Sequence, residues 1–184
     1  MVIHQLPLTG AALVEVQPYS DHRGIFARFF CARELSDLIK DRQIVNVNYS
    51  RTSRVGAVRG MHYQRPPHQE MKLVRCIGGA VYDVLVDLRR GSSTFLQWHG
   101  EILSADNQHM LCIPEGFAHG FQVLQPESEL MYLTTQFYVP GSEGGIRYDD
   151  PAVGVKWPCE VTEVSEKDLG HPLLHAGASP LEAV

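Results

Sequence analysis

From Val45 onward the chain runs as short apolar or alternating stretches separated by turn residues at fairly even spacing. That texture belongs to antiparallel all-β architecture rather than to alternating strand and helix units. The clearest strands are "KLVRCI" and "AVYDVLVDL", and Gly78-Gly79 between them supplies the positive φ of a tight hairpin. In the second run Tyr82, Val84, Val86 and Leu88 share one face while Asp83, Asp87 and Arg89 share the other, which predicts a half-buried strand. Further strands are expected in "WHGEILS", "HMLCIP", "GFQVLQ", "ELMYLTTQFY" and "VGVKW". So many strands in so short a chain must curl to protect their edges, and a jelly-roll barrel does this economically. One early helix is predicted in "CARELSDLIKD", where Leu35, Leu38 and Ile39 fall at i, i+3 and i+4 and should pack on a sheet.

Length and composition narrow the setting. A chain of 184 residues with 44% hydrophobic content can bury one good core, so residues 1–184 are read as a single domain, with 171–184 a loose tail. The formal charge of -5 gives no general attraction to phosphate backbones, which argues against nucleic acid as a partner. The opening "MVIHQLPLTGAALVEVQ" lacks a basic start and a long apolar stretch, and no run of about 18 apolar residues occurs anywhere; a cytoplasmic protein without a membrane anchor is expected. Cys31, Cys76, Cys112 and Cys159 have neither zinc-site nor redox-motif spacing and read as reduced structural thiols.

Candidate chemistry concentrates in "RGMHYQRPPHQEMKLVR", residues 59–75. Strand alternation puts Arg59, Met61 and Tyr63 on one face and Gly60, His62 and Gln64 on the other, so His62 and Gln64 point into a barrel together. Pro66-Pro67 then turns the chain before Lys72 begins the next strand. With "IPEGFAHGF" further on, these residues resemble the paired motifs of cupin barrels. In that light His62, Glu70 and His119 form one possible metal-ligand set, although Gln64 stands where a second imidazole is wanted and an amide oxygen replaces imidazole poorly at a transition metal.

A closer resemblance rests on "DHRGIF", "RGMHYQ", "KLVR", "DLRRGSSTF", "IPEGFAHGF", "ELMY" and "GIRYDDPAVGVKWP", which occur in the order and approximate spacing of the dTDP-4-dehydrorhamnose 3,5-epimerase family. The resemblance spans about residues 5–170 and implies a cupin-type jelly roll with a few short flanking helices. It also implies epimerisation at C3 and C5 of a nucleotide-linked 4-keto-6-deoxyhexose, without metal or other cofactor, in a homodimer. His62 then corresponds to the base, Asp168 to the carboxylate that orients it, Lys72 to the cation facing the C4 oxygen, and Tyr132 to the acid on the opposite face of the sugar. Arg23 and Arg59 correspond to a diphosphate clamp and Tyr138 to the aromatic stacked on the base. Phe26, Asn46, Val47, Asn48, His119, Glu143 and Lys167 correspond to further substrate contacts. This chain departs from the family pattern at Arg28, where Glu is usual, at Glu70, where some members have Gln, and at Gly144, where Arg is usual. A C3-only epimerase, a metal-dependent cupin enzyme and a non-catalytic sugar-nucleotide binding module are the competing readings.

Overall fold

The computed structural model describes residues 1–174 and 181. In chain order the elements are β1 (Val2–Gln5), β2 (Ala12–Glu15), β3 (Tyr19–Asp21), β4 (Gly24–Phe26), α1 (Ser36–Ile39), β5 (Asn46–Thr52), β6 (Ala57–Gln64), β7 (Lys72–Gly78), β8 (Ala80–Asp87), β9 (Trp98–Ser104), β10 (Met110–Ile113), β11 (Phe117–Val123), β12 (Ser128–Thr134), β13 (Glu143–Gly145), β14 (Glu163–Val164) and α2 (Glu166–Leu169). One sheet has the order β1-β2-β10-β7-β12-β5 and the other β13-β6-β11-β8-β9, with β14 added parallel to β6. The two face each other as a jelly roll, and β3-β4 stands apart as a separate hairpin.

The side chains between the sheets grade from apolar to polar along the strands. Cys76 and Val74 of β7 and Leu130 of β12 pack with Val81, Leu85, Phe121 and Val123 from the opposite sheet. Further along the same strands and on the same face come Lys72, Tyr132 and Thr134, and Thr134 lies opposite both Lys72 and Asn46. Apolar burial of about 1.5–3 kcal/mol per large side chain therefore anchors one end of the barrel, leaving the other end free to be lined by polar groups.

A strap covers the outer face of the second sheet at β8, and this changes the reading of that strand. Val81, Asp83, Val84, Leu85, Val86 and Asp87 are all buried, so the strand is not half-solvated. Val84, Val86 and Leu88 pack outward under a strap that includes Ile146, Val153, Val155, Trp157 and Leu174. Asp83 and Asp87 are tolerated inside because each has hydrogen-bonding partners: His119 for the first, Arg89 with Ser92 and Thr94 for the second. The tight hairpin across Gly78-Gly79 is also overturned. β7 pairs with β10 and β12 while β8 pairs with β9 and β11, so the Gly pair turns a corner between sheets. Gly79 has φ +69°, and the Ala80 N–H donates to Ser128 Oγ at 3.1 Å, pinning that corner.

Other expectations divide similarly. The early helix shortens to Ser36–Ile39, preceded by turns, and Lys40 at φ 56° ends it. Its apolar face is as predicted: Leu35 and Ile39 are buried with Met71, Leu73 and Met110 on the outside of the first sheet. "VGVKW" makes no ladder; Val153, Val155 and Trp157 alternate because they seat an irregular strap. Residues 171–174 are not loose, since the Leu174 N–H donates to Asp150 Oδ2 at 2.7 Å. The rest of the expected tail, apart from Leu181, which packs on the same cluster, lies outside the described residues. The four cysteines are free thiols, and burial pushes Cys112 up to about 12. Among the described residues no helix is long and apolar enough to cross a membrane.

Candidate active site

The polar end of the barrel opens into a cleft of about 620 Å³, and a break in β6 shapes its floor. His119 lies opposite His62 and Phe121 opposite Arg59, so three steps along β6 match two along β11: a bulge at Gly60. Gly60 has φ +120°, and a Cβ there would come within 2.5 Å of Gly120 Cα; a Cβ on Gly120 would meet the Arg59 carbonyl oxygen at 2.7 Å. Only two glycines permit this approach. The bulge corrects the face expected for Arg59, because the extra residue resets the alternation. Arg59 lines a recess with His62, Lys72, His119 and Tyr132, while Met61 and Tyr63 stay in the outer core.

Asp168 reaches His62 from 106 positions away in the chain. β14 runs alongside Ala57 and Val58, and the Ser165 side chain then caps the single turn of α2 by accepting from the Asp168 N–H. Gln122 fastens the incoming segment, donating to Cys159 O at 3.0 Å and accepting from Cys159 N–H at 3.2 Å. The result is a contact of 2.6 Å between His62 Nε2 and Asp168 Oδ1, with Oδ2 accepting from the Gly60 N–H at 3.2 Å. Burial alone would push the Asp168 carboxyl up, but the bonds from His62 and Gly60 more than offset it and hold the group below the ordinary carboxylate value. A carboxylate on Nε2 keeps the proton there and leaves Nδ1 as the basic nitrogen.

On the facing sheet, Asn46 and Asn48 of β5, Lys72 of β7, and Tyr132 and Thr134 of β12 line the same cleft. Lys72 Nζ lies 3.2 Å from Glu70 Oε1 and donates to the His62 carbonyl at 3.4 Å. Gln64, in the position of the missing imidazole, is a clasp rather than a ligand. Its amide donates to Glu70 and to the carbonyls of His68 and Phe137, and its oxygen accepts from Val139 N–H and Ser142 Oγ. It thus ties the loop after β12 to the cleft wall.

That loop carries the rim. Tyr138 Oη donates to Glu143 Oε2 at 3.1 Å, and Glu143 Oε1 meets Lys167 Nζ at 3.0 Å. The hydrogen bond from Lys167, then that from Tyr138, lowers the Glu143 carboxyl, while Glu143 raises both partners. Gly144 leaves room for the Tyr63 ring, since a Cβ would lie 2.5 Å from it. Arg65 covers that ring and donates to the Glu143 carbonyl, so a guanidinium is present at this rim although residue 144 is not Arg.

Not every expected contact is assembled. Val47 is 64% exposed on the outer face of β5, as strict alternation between Asn46 and Asn48 requires. Arg23 and Phe26 sit on the β3-β4 hairpin, away from the residues of the cleft, and Arg23 is paired with Asp21 at 2.7 Å. Arg28 pairs with Glu34 at 3.1 Å. The set His62, Glu70 and His119 is not brought together as a ligand group among the described residues: Glu70 is held by Lys72 and Gln64, and His119 Nε2 by both Asp83 oxygens at 2.9 Å. His171, which sequence reasoning passed over as tail, also lines the cleft. Burial, and then the neighbouring His62, lowers its pKa and so favours the neutral imidazole. Only the Pro after it hinted at an ordered stop.

Comparison with known proteins agrees with this fold. The family model described as dTDP-4-dehydrorhamnose 3,5-epimerase matches residues 5–176. The chain is 40% identical over 176 residues to the dTDP-4-dehydrorhamnose 3,5-epimerase of Salmonella typhimurium, covering 95% of this chain and 96% of that one. Among solved structures, the dTDP-4-dehydrorhamnose 3,5-epimerase of Bacillus anthracis with TDP and PPi bound superposes with a TM-score of 0.90 at 38% identity, covering 94% of this chain and 99% of the other. The dTDP-6-deoxy-D-glucose-3,5-epimerase of Legionella pneumophila in complex with dTDP-4-keto-L-rhamnose gives 0.88 at 40% identity, covering 94% and 92%. The chain therefore belongs to the dTDP-4-dehydrorhamnose 3,5-epimerase family of sugar-nucleotide isomerases.

Proposed function

We infer that this protein epimerises C3 and C5 of dTDP-4-dehydro-6-deoxyglucose, giving dTDP-4-dehydrorhamnose. The observation that carries the reading is the placement of a base and an acid on opposite walls of one cleft. His62 stands on β6 of one sheet, backed by Asp168 from α2, and Tyr132 stands on β12 of the sheet facing it. Inversion needs this division, because the proton must leave one face of the sugar carbon and return to the other.

The C4 ketone makes the hydrogens on C3 and C5 acidic. His62 Nδ1 takes the proton, and Asp168 stabilises the imidazolium that results. Charge passes to the C4 oxygen, where Lys72 stabilises an enolate that exists only after proton loss. Tyr132 returns a proton from the far wall. The same chemistry serves both carbons once the ring presents each in turn, and it requires no metal.

For the nucleotide, Tyr138 offers a ring for stacking on the base at the exposed rim, with Glu143 and Lys167 beside it. Arg59 and His119 meet the diphosphate from the recess. Arg23 and Phe26 reach a cleft only if a second copy brings its hairpin there, and the surface supports that arrangement. Ile25 and Phe26 are 61% and 68% exposed, and β5 is a sheet edge with Val47 and Tyr49 exposed. The protein is thus read as a homodimer of single-domain subunits acting in the cytoplasm, where its four free thiols are stable. Incubation with dTDP-4-keto-6-deoxyglucose, followed by NMR of the product, is expected to show the doubly inverted sugar with the wild type and only starting material with His62→Ala. Unchanged starting material with both overturns the reading.

A further inference from the structure

His171, which the proposed reaction does not use, completes a cluster with His62 and Asp168. Its Nε2 is buried without a hydrogen-bond partner and lies 4.0 Å from Asp168 Oδ1. Its ring meets that of His62 edge-on, with centroids 6.3 Å apart. Room for the ring exists because residue 145 is glycine: a Cβ there would fall 2.1 Å from His171 Nε2. Among the described residues, His62, Asp168 and His171 are the one group of three potential metal ligands whose donor atoms all lie within 4.8 Å of one another.

We propose that His62, Asp168 and His171 form a binding site for a divalent transition-metal ion of the zinc type, and that an ion bound there switches the epimerase off. Two imidazoles and one carboxylate, with a position left open to the cleft, suit zinc and its neighbours and not the hard cations magnesium or calcium. Around a tetrahedral ion with bonds of about 2.0–2.2 Å, ligand atoms stand roughly 3.3 Å apart. The 2.6 Å contact between His62 and Asp168 must open, and the 4.0 Å gap from His171 to Asp168 must close, each by less than about 1 Å. Lys167, on the same turn, is held by Glu143 at 3.0 Å.

The ion would take the lone pair of His62 Nε2, so the imidazole proton moves to Nδ1. That nitrogen is then no longer a base, and the Asp168 carboxylate is engaged by the ion instead of supporting an imidazolium. Binding stands on the cluster alone; the inhibition rests on the function proposed above.

The test is a cobalt(II) titration of chelator-stripped, full-length protein, read by visible d–d absorption, with zinc as competitor. One saturable site per chain is expected, displaced by zinc, with affinity at least about tenfold weaker in both His171→Asn and His171→Phe. Thermal melts confirm that each variant is folded, and His171→Phe refills the space beside Gly145 should His171→Asn melt early. Zinc is expected to inhibit wild-type turnover with the same midpoint, reversed by chelator. No saturable site, or equal binding by both folded His171 variants, overturns the site. Stoichiometric binding that leaves turnover untouched overturns the switch. Because the cobalt signal does not depend on turnover, an inactive protein that binds cobalt would refute the epimerase reading and leave the site standing.

Discussion

His62 Nε2 and Asp168 Oδ1 lie 2.6 Å apart although 106 positions separate them in the chain. The distance is set by a capped turn, a parallel two-residue strand and a glycine whose N–H faces the second carboxylate oxygen. Asp168→Asn keeps the shape but loses the charge that stabilises an imidazolium and fixes the tautomer. Turnover is expected to fall roughly 10²- to 10⁴-fold while KM changes little, measured by steady-state kinetics. A matched rise in KM with unchanged kcat would place Asp168 in substrate binding instead.

The same pair links stability to pH. The Asp168 carboxyl is held below its ordinary value of 3.8 in the folded protein: burial opposes this, but His62 and the Gly60 N–H prevail. A group with a depressed folded pKa contributes stability that is fully present above its unfolded value and is lost as pH falls through the folded value. The gap in unfolding free energy between wild type and Asp168→Asn should thus be steady at neutral pH and shrink below about pH 3.8. Urea unfolding at a series of pH values checks it; a gap that widens on acidification contradicts the pairing.

Tyr132→Phe separates proton removal from proton return. With His62 intact, substrate hydrogens should still exchange with deuterated solvent, while formation of inverted product falls roughly 10²- to 10⁴-fold. Lys72→Met should depress exchange and product together by about 10²- to 10³-fold, because it removes enolate stabilisation that both need. NMR time courses in deuterated water distinguish the two patterns, and equal loss of exchange in both variants would argue against Tyr132 as the returning acid.

Gly60 and Gly120 allow the bulge that turns Arg59 into the recess shared with His62, Lys72 and Tyr132. Gly60→Ala puts a methyl group within 2.5 Å of Gly120 Cα at φ +120°. A cost of about 2–3 kcal/mol is expected, seen as a lower denaturant midpoint at unchanged slope. A variant as stable as wild type would show that the strands part easily there.

The fold class was legible because β-strand alternation is local, and the apolar face of α1 was legible for the same reason. What alternation could not convey was which strands pair: "KLVRCI" and "AVYDVLVDL" adjoin in sequence but belong to different sheets, and burial on both faces of β8 hides the period in Asp83 and Asp87. Arg59 was misplaced because one bulged residue inverts a period of two. His62, Lys72 and Tyr132 followed from motif resemblance and share the cleft; Asp168 needed it most, since no local pattern points across 106 positions. His171 carried no signal beyond its chemistry and the proline that follows it. Arg23 and Phe26 lie on a separate hairpin that is not among the lining of the cleft, and local pattern gave no sign of this.

The central claim, that His62 removes protons from carbons flanking the C4 ketone, is tested most directly by incubating wild type and His62→Ala with dTDP-4-keto-6-deoxyglucose in deuterated water and locating the label by position. Deuterium at both C3 and C5 with the wild type, and at neither with His62→Ala, is the predicted result. Label at C3 alone would contradict double epimerisation, and no label with the wild type would contradict the mechanism itself.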